Sequence, residues 1–280
     1  MFKSAKPDSS KKWVAVCLSP ALIDQFKVDE AIVVVIDVLR ATTAMCAAFD
    51  HGVRSMIPVL TVEEGREAKE NGCLVAGERN GEQIEGFDFG NSPLQFRTKA
   101  IAGKDIVITT TNGTKAIKAA VARGALEVVV GAFSNYSILA HYLLSRNENV
   151  ILLCSGWKDQ PNLEDTIFAG AMVNRLRKNY RLYEDTALMA ETVYRVANRR
   201  KRYFLRSSSH FNRLFHILQI QKDVKYSLRR DTHPVIPKLY GDRLILMDSP
   251  YVQEVGHIPF DLPQFKRRDT GLKEGESLPK

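Results

Sequence analysis

An α/β fold with largely parallel sheets and flanking helices is what this sequence predicts, and two observations predict it. Apolar, β-branched runs alternate with alanine- or leucine-rich stretches, as where "AIVVVID" is followed by "ATTAMCAAFD". A unit of strand, polar loop, helix and glycine also returns. A shift of 72 positions, the difference between Thr42 and Thr114, lays Ala44 on Ala116, Ala47 on Ala119, Ala48 on Ala120 and Gly52 on Gly124. Each copy then reads β-loop-α-β-α-β, which predicts an internal duplication.

Taken in order, the first strand is expected at 12–18 and the second at 31–37, a run that closes on Asp37. The alanine-rich helix 41–50 follows and stops at Gly52, since glycine tolerates the left-handed position after a helix. Strand 54–58, helix 61–71 and strand 74–76 complete the first unit. The stretch "AGERNGEQIEGFDFGNSPLQF" then reads as a long loop, broken by turn-forming residues. Its Phe87, Phe89, Leu94 and Phe96 argue against disorder, and a loop this long inside a compact domain is usually functional. The second unit places strands at 105–109, 127–130 and 150–154, helices at 114–123 and 135–145, and a helix at 164–179 with Phe168, Met172 and Leu176 on one face. Further helices are expected at 183–201 and 209–220. The division that follows is 12–104, a first unit with a long acidic loop; 105–250, a second unit with C-terminal helical and strand elements; and 251–280, a polar tail.

The chain has 280 residues, 45% of them apolar and 26% charged, enough for a proper core in a soluble protein. No apolar run reaches the ~20 residues that span a bilayer. The basic, polar N-terminus "MFKSAKPDSSKKW" lacks a secretory signal, so a cytoplasmic protein is expected. The four cysteines, Cys17, Cys46, Cys73 and Cys154, have no metal-ligand spacing and are expected to be buried free thiols. The net charge of +8 gathers partly in "RVANRRKRYFLR". That run reads first as a solvated helix face, and without zinc-finger spacing or RNP-type aromatics no nucleic-acid partner is expected. A homodimer is the default oligomeric expectation.

Chemistry-bearing residues collect just after the strands, where open α/β folds bind ligands. "DVLRATT" sets Asp37, Arg40 and Thr42 at a strand-to-helix turn. Thr42 can cap the helix, whose free N–H groups suit a phosphate; Arg40 can clamp it, and Asp37 offers hard oxygens to Mg²⁺. A structural Asp37–Arg40 ion pair fits the same spacing. "TTTNGT" presents Thr109, Thr110, Thr111, Asn112, Gly113 and Thr114 after a β run, a stronger oxyanion signal, with Gly113 permitting close backbone approach and Thr114 placed as a cap. The bland reading is a polar Asn-Gly turn. The stretch is neither a Walker loop nor a G-x-G-x-x-G fingerprint.

Glu78 and Arg79 sit where the strand before the long loop ends, and Glu78 is the second metal-ligand candidate. Glu164 and Asp165 open a helix, where acids favour the dipole and could equally serve as metal ligand or general base. The six histidines form no paired spacing, and no Gly-x-Ser-x-Gly elbow supports a Ser-His-Asp mechanism. Asp37 is followed by Val38 and Leu39, so the Asp-x-Asp-x-Thr signature of a phosphoaspartate enzyme fails.

Seven stretches, "CLSPALID", "VVVIDVLRATT", "AGERNGEQIEGFDFGNSP", "TTTNGTKAI", "GAFSN", "LEDTIFAGA" and "SSSHFNRL", resemble in order the motifs of the 2-phosphosulfolactate phosphatase family, from about Val14 to Leu246. The resemblance implies a Mg²⁺-dependent phosphatase that converts 2-phosphosulfolactate, a small anionic phosphate ester, to 3-sulfolactate and phosphate, a step toward coenzyme M in methanogens. With the strand-end reading, it places Mg²⁺ on Asp37, Glu78 and Asp165, and phosphate on Arg40, Thr42, Arg79 and the Thr111–Thr114 backbone. Either Glu164 or Asp165 would be the base. Two other readings stand: a phosphatase for another small acidic ester, and a non-catalytic phospholigand-binding protein.

Overall fold

The computed structural model describes residues 11–247; the tail expected at 251–280 lies outside the described residues. Its strands are β1 (Trp13–Cys17), β2 (Ala31–Ile36), β3 (Ser55–Pro58), β4 (Leu74–Arg79), β5 (Glu82–Gln83), β6 (Asp105–Thr109), β7 (Glu127–Gly131), β8 (Asn149–Cys154), β9 (Arg181–Leu182), β10 (Pro237–Tyr240) and β11 (Arg243–Leu246). Its helices are α1 (Ala41–Asp50), α2 (Val62–Glu70), α3 (Gly113–Ala122), α4 (Tyr136–Arg146), α5 (Leu163–Leu176), α6 (Asp185–Ala197), α7 (Lys201–Phe204), α8 (Ser209–Asn212) and α9 (Gln221–Ser227).

All the strands join one mixed sheet in the order β5-β4-β6-β3-β11-β10-β7-β2-β8-β1-β9. Strand β6 pairs in parallel with β3 and β4, and β2 pairs in parallel with β7 and β8. The first threesome therefore has β6 at its centre between two strands from before residue 104, and the second has β2 between two strands from after it. Strands from before and after residue 104 thus interleave in one sheet among the described residues. The antiparallel hairpin β10–β11 joins the halves, pairing with β7 on one side and β3 on the other.

Period-two alternation assigns the faces. Val14, Val16, Ile32, Val34 and Ile36 pack with residues of α4, α5 and α6. Ala15, Cys17, Val33 and Val35 point the other way, onto α1 and α3. Both faces are covered, which is why β2 reads as an unbroken apolar run. Helix α1 is buried from Ala41 to Phe49, as expected of a helix apolar all round. Gly52 (φ 87°) and Gly124 (φ 73°) stand in the left-handed region just beyond α1 and α3, as their matching positions predicted.

Three expectations need correction. Strand β4 runs on to Arg79 and pairs with β5 across Asn80-Gly81, both at positive φ. This is the two-residue Asn-Gly hairpin that right-handed strand twist favours, so the start of the supposed loop is ordered β structure. The helix expected at 209–220 ends at Asn212, widens into a π turn over Arg213–Ile217, and gives way to α9. Cys17, Cys46 and Cys154 are buried and free, but Cys73 is exposed. Burial pushes the Cys17 and Cys46 thiols up to about 12, which makes them inert.

Candidate active site

Asp37 follows β2 and is buried. Its N–H donates to Thr42 Oγ1 (3.1 Å), the Thr42 hydroxyl donates back to the Asp37 carbonyl (2.8 Å), and Asp37 Oδ1 accepts the Ala41 N–H (3.2 Å). The loop after β6 is tied in the same way. The Thr110 N–H donates to Thr114 Oγ1 (3.3 Å), and Thr114 Oγ1 donates to the Thr110 carbonyl (2.8 Å). The residue that does Asp37's backbone work is thus Thr110, not the aligned Thr109, because the second loop is one residue shorter. Thr42 and Thr114 lie inside the first helical turns, and Arg40 and Asn112 hold the cap positions.

The two loops meet where the helices begin. A Cβ on Gly113 would lie 2.7 Å from Ala41 Cβ and 3.1 Å from Asp37 Oδ2. Asp37 Oδ2 accepts no hydrogen bond from the described residues, and the N–H groups of Asn112 and Gly113 donate none to them. A bare carboxylate oxygen therefore stands against the open N-terminus of α3.

Glu78 clasps this loop from β4, accepting the Thr111 N–H on Oε1 (2.7 Å) and the Gly81 N–H on Oε2 (2.6 Å). Arg79 turns away, donating to the Glu78 carbonyl, the Leu60 carbonyl and Thr109 Oγ1. Arg40 forms no ion pair with Asp37. Its guanidinium is buried against Asp223 Oδ2 (2.6 Å) and the Gly81 carbonyl (2.7 Å), while Ser92 Oγ donates to the other Asp223 oxygen (2.7 Å). Beside it opens a cleft of about 440 Å³ lined by Asn91, Ser92, Gln95, Ile217 and Asp223.

Asp165 arrives on α5 with both oxygens engaged: Oδ1 accepts the Val38 N–H (2.8 Å), and Oδ2 accepts the Gly156 N–H (3.2 Å) and the Asn162 amide (2.9 Å). It ties the ends of β2 and β8 together. Its neighbour Glu164, fully buried, points its Oε1 at Nδ1 of His210, and its Oε2 has no partner. The His210 ring stacks on Trp157, with centroids 5.2 Å apart.

These acids act on one another. Desolvation, reinforced by the charges of Glu78 and Glu164 and opposed by the Ala41 N–H and by His210, pushes Asp37 up to about 6. Asp165 is raised well above the carboxylate range by burial first, then by Asp37 and Glu164. Buried carboxylates beside open N–H groups can take an anion and a counter-charge together.

The sequence model of the 2-phosphosulpholactate phosphatase family matches residues 17–242. The chain belongs to this family. Its members are phosphoric monoester hydrolases, and three relatives show the extent of the likeness. A probable 2-phosphosulfolactate phosphatase of Thermotoga petrophila is 39% identical over 217 residues, covering 78% of this chain and 92% of its own. One from Clostridium acetobutylicum is 34% identical over 228 residues, covering 80% and 95%. One from Clostridium tetani is 30% identical over 229 residues, covering 80% and 96%. Among the described residues no helix is long and apolar enough to cross a membrane.

Asp37, Glu78, Glu164, Asp165 and the Asn112–Gly113 backbone are the groups of interest in this family member, and Asp37 feels the charges of Glu78, Glu164 and His210. Arg79 and Thr42 are committed to other partners. His210 and Asp223 join the site only through Glu164 and Arg40. Neither has a spacing signal; His210 lies inside the quoted "SSSHFNRL", and only tertiary folding brings it to Glu164, 46 residues away.

The donor set suits Mg²⁺. Among the described residues no three His, Cys, Asp or Glu side chains surround one point. Mg²⁺ keeps several waters and is commonly held by one or two carboxylates plus substrate phosphate. Asp37, with its bare Oδ2, meets that description, and Glu78 is the acid whose charge reaches it from β4.

Proposed function

We propose that this protein is a Mg²⁺-dependent phosphatase that hydrolyses 2-phosphosulfolactate to 3-sulfolactate and phosphate. The observation that carries this reading is Asp37 Oδ2 standing against the open N–H groups of Asn112 and Gly113. A phosphate held by those N–H groups would lie beside the carboxylate and be repelled by it, so a site made for phosphate there needs a cation between them. A protein that merely bound phosphate would have no use for the acid.

Asp37 would hold the metal, with Glu78 as second ligand or as the charge behind it. When bound, Mg²⁺ supplies charge neutralisation on the phosphoryl oxygens and favours ionisation of a coordinated water. The N–H groups of Asn112 and Gly113 donate to phosphoryl oxygens at the positive end of α3, where developing charge is stabilised without reorganisation. Glu78, by fixing the Thr111 N–H, sets the direction of those two neighbours. Asp165 keeps Val38 and Gly156 in place, so its part is to hold the strand ends in register. Arg40 lines the neighbouring cleft, whose Gly81 is bonded to Glu78 and through it to the Thr111 end of the loop.

The lining of that cleft favours a second reading of the substrate. Its cation, Arg40, is already paired with Asp223, and Asn91, Gln95 and Ile217 complete much of the wall. An ester with fewer negative charges than phosphosulfolactate suits such a wall. The test is phosphate release from purified protein, with Mg²⁺ or chelator, over a panel of phosphosulfolactate, phospholactate and phosphoglycolate. Release from phosphosulfolactate that vanishes with chelator supports the first reading. Preference for a sulfonate-free ester supports the second, and absence of release from all of them overturns both.

A further inference from the structure

One buried assembly takes no part in holding metal or phosphate. Glu164, His210 and Trp157 come from α5, α8 and the turn after β8, with Glu164 and His210 buried and Trp157 half-buried against them. Phe211 of α8 and Leu214 of the π turn after it pack in the apolar core, and Ser208 Oγ caps α8 by accepting the Phe211 N–H. His210 instead turns toward a carboxylate that the fold has buried completely. A buried carboxylate with an unpartnered oxygen is costly unless it serves a partner.

The orientation is specific. A carboxylate accepts, so Nδ1 of His210 is the donor to Glu164 Oε1. Stacking on the Trp157 indole fixes the ring plane, and Lys158 lies over the same indole, 4.9 Å from its centroid. Nε2 forms no hydrogen bond with the described residues, and the residue keeps 7% of its surface open. A carboxylate-oriented imidazole with one free nitrogen is the arrangement of a proton donor or acceptor, and it recurs wherever a histidine must move a proton in a set direction. The partner of His210, Glu164, precedes Asp165, whose Oδ1 accepts the N–H of Val38, the residue after Asp37.

We propose that His210, positioned by Glu164 and Trp157, is the general acid that protonates the leaving oxygen of the phosphate ester. Water attacks phosphorus, and the ester P–O bond breaks with its electron pair passing to the leaving oxygen. That oxygen takes the proton from Nε2. The proton shed by the attacking water goes to solvent, and one proton returns from solvent to Nε2 before the next turnover. Glu164 is a positioning residue, not the base that touches water. The assignment rests on the phosphatase reading and adds a direction to it: the leaving group lies on the His210 side and the phosphoryl oxygens on the Gly113 side.

The test compares an alkyl ester, glycerol 2-phosphate, with an activated aryl ester, p-nitrophenyl phosphate, whose leaving group needs no proton. His210→Gln should lower kcat/KM for the alkyl ester by about 10²–10⁴-fold, the range for lost general-acid catalysis, and change the aryl ester by less than about tenfold. Glu164→Gln should show the same preference in weaker form. Equal losses on both esters would overturn the assignment. Should His210→Gln fail to fold, the native enzyme decides. Its kcat/KM over a series of phenyl phosphates should vary little with leaving-group acidity if the leaving oxygen is protonated, and a steep dependence would overturn the proposal. Release from no ester by the native enzyme would overturn the phosphatase reading itself, an outcome distinct from failure of the dyad alone.

Discussion

Arg40 reaches across 183 positions of the chain to Asp223, with Nη1 2.6 Å from Oδ2, and both side chains are buried. The bond pins the start of α1 to α9 and closes one wall of the cleft. Removing one partner leaves a buried, uncompensated charge, which costs about 3–5 kcal/mol. Asp223→Ala should lower unfolding stability by that amount in urea titrations and raise KM for the ester. Loss of less than about 1 kcal/mol, on the scale of an exposed pair, would show that Arg40 finds another partner.

Asp37→Asn should abolish Mg²⁺-dependent turnover and yet stabilise the metal-free protein at high pH. The folded state raises this carboxyl from 3.8 to about 6, chiefly by burial, so folding favours the protonated acid. The stability this gives is present below about pH 4 and is lost as pH rises through about 6. At pH 8 the ionised acid weakens the fold by about 3 kcal/mol, since a tenfold change in acidity is worth about 1.36 kcal/mol. Denaturant titrations in chelator should find the variant more stable at pH 8, with the gap narrowing at pH 5. A variant less stable than the native protein at pH 8 would mean that the acid is already neutralised by a group other than a metal.

Much of this site is visible in the sequence because it is local. The acid after β2, the Thr-Asn-Gly-Thr loop after β6 and the acids opening α5 each follow an apolar run. Helix α1 matches its predicted span because small or apolar side chains run unbroken from Ala41 to Phe49. What escaped reading is what depends on distant chain. Strands β10 and β11 are four residues each, one opening on Pro237, too short for period-two alternation to show. Asp223 and His210 acquire meaning only through Arg40 and Glu164. The Asn80-Gly81 hairpin was legible, since Asn-Gly is a strong turn signal, but surrounding glycines disguised it as loop.

Gly113→Ala should disable the phosphate loop. The added Cβ would press on Ala41 Cβ at 2.7 Å, two backbone-anchored atoms with no rotamer to relieve them. Overpacking of this kind costs about 1–3 kcal/mol, and the start of α3 must draw back from α1. The N–H groups of Asn112 and Gly113 would then lose their aim. We expect inhibition by inorganic phosphate to weaken at least tenfold while the far-ultraviolet dichroism stays native. Unchanged inhibition would place the phosphate elsewhere.

Glu78→Gln separates a metal role from a scaffolding one. Glu78 accepts the Thr111 N–H and the Gly81 N–H on different oxygens, and an amide offers only one acceptor oxygen. One of those N–H groups loses its partner and faces an amide N–H₂ instead, a loss of about 1–3 kcal/mol. If that were all, inhibition by phosphate would weaken and the Mg²⁺ dependence would stay as in the native enzyme. If Glu78 also supplies charge to the metal, the Mg²⁺ concentration for half-maximal activity must rise as well, and the rise should persist at saturating substrate. Measured together, denaturant stability and Mg²⁺ titration of this one variant decide whether the carboxylate is needed for its charge or only for its two oxygens.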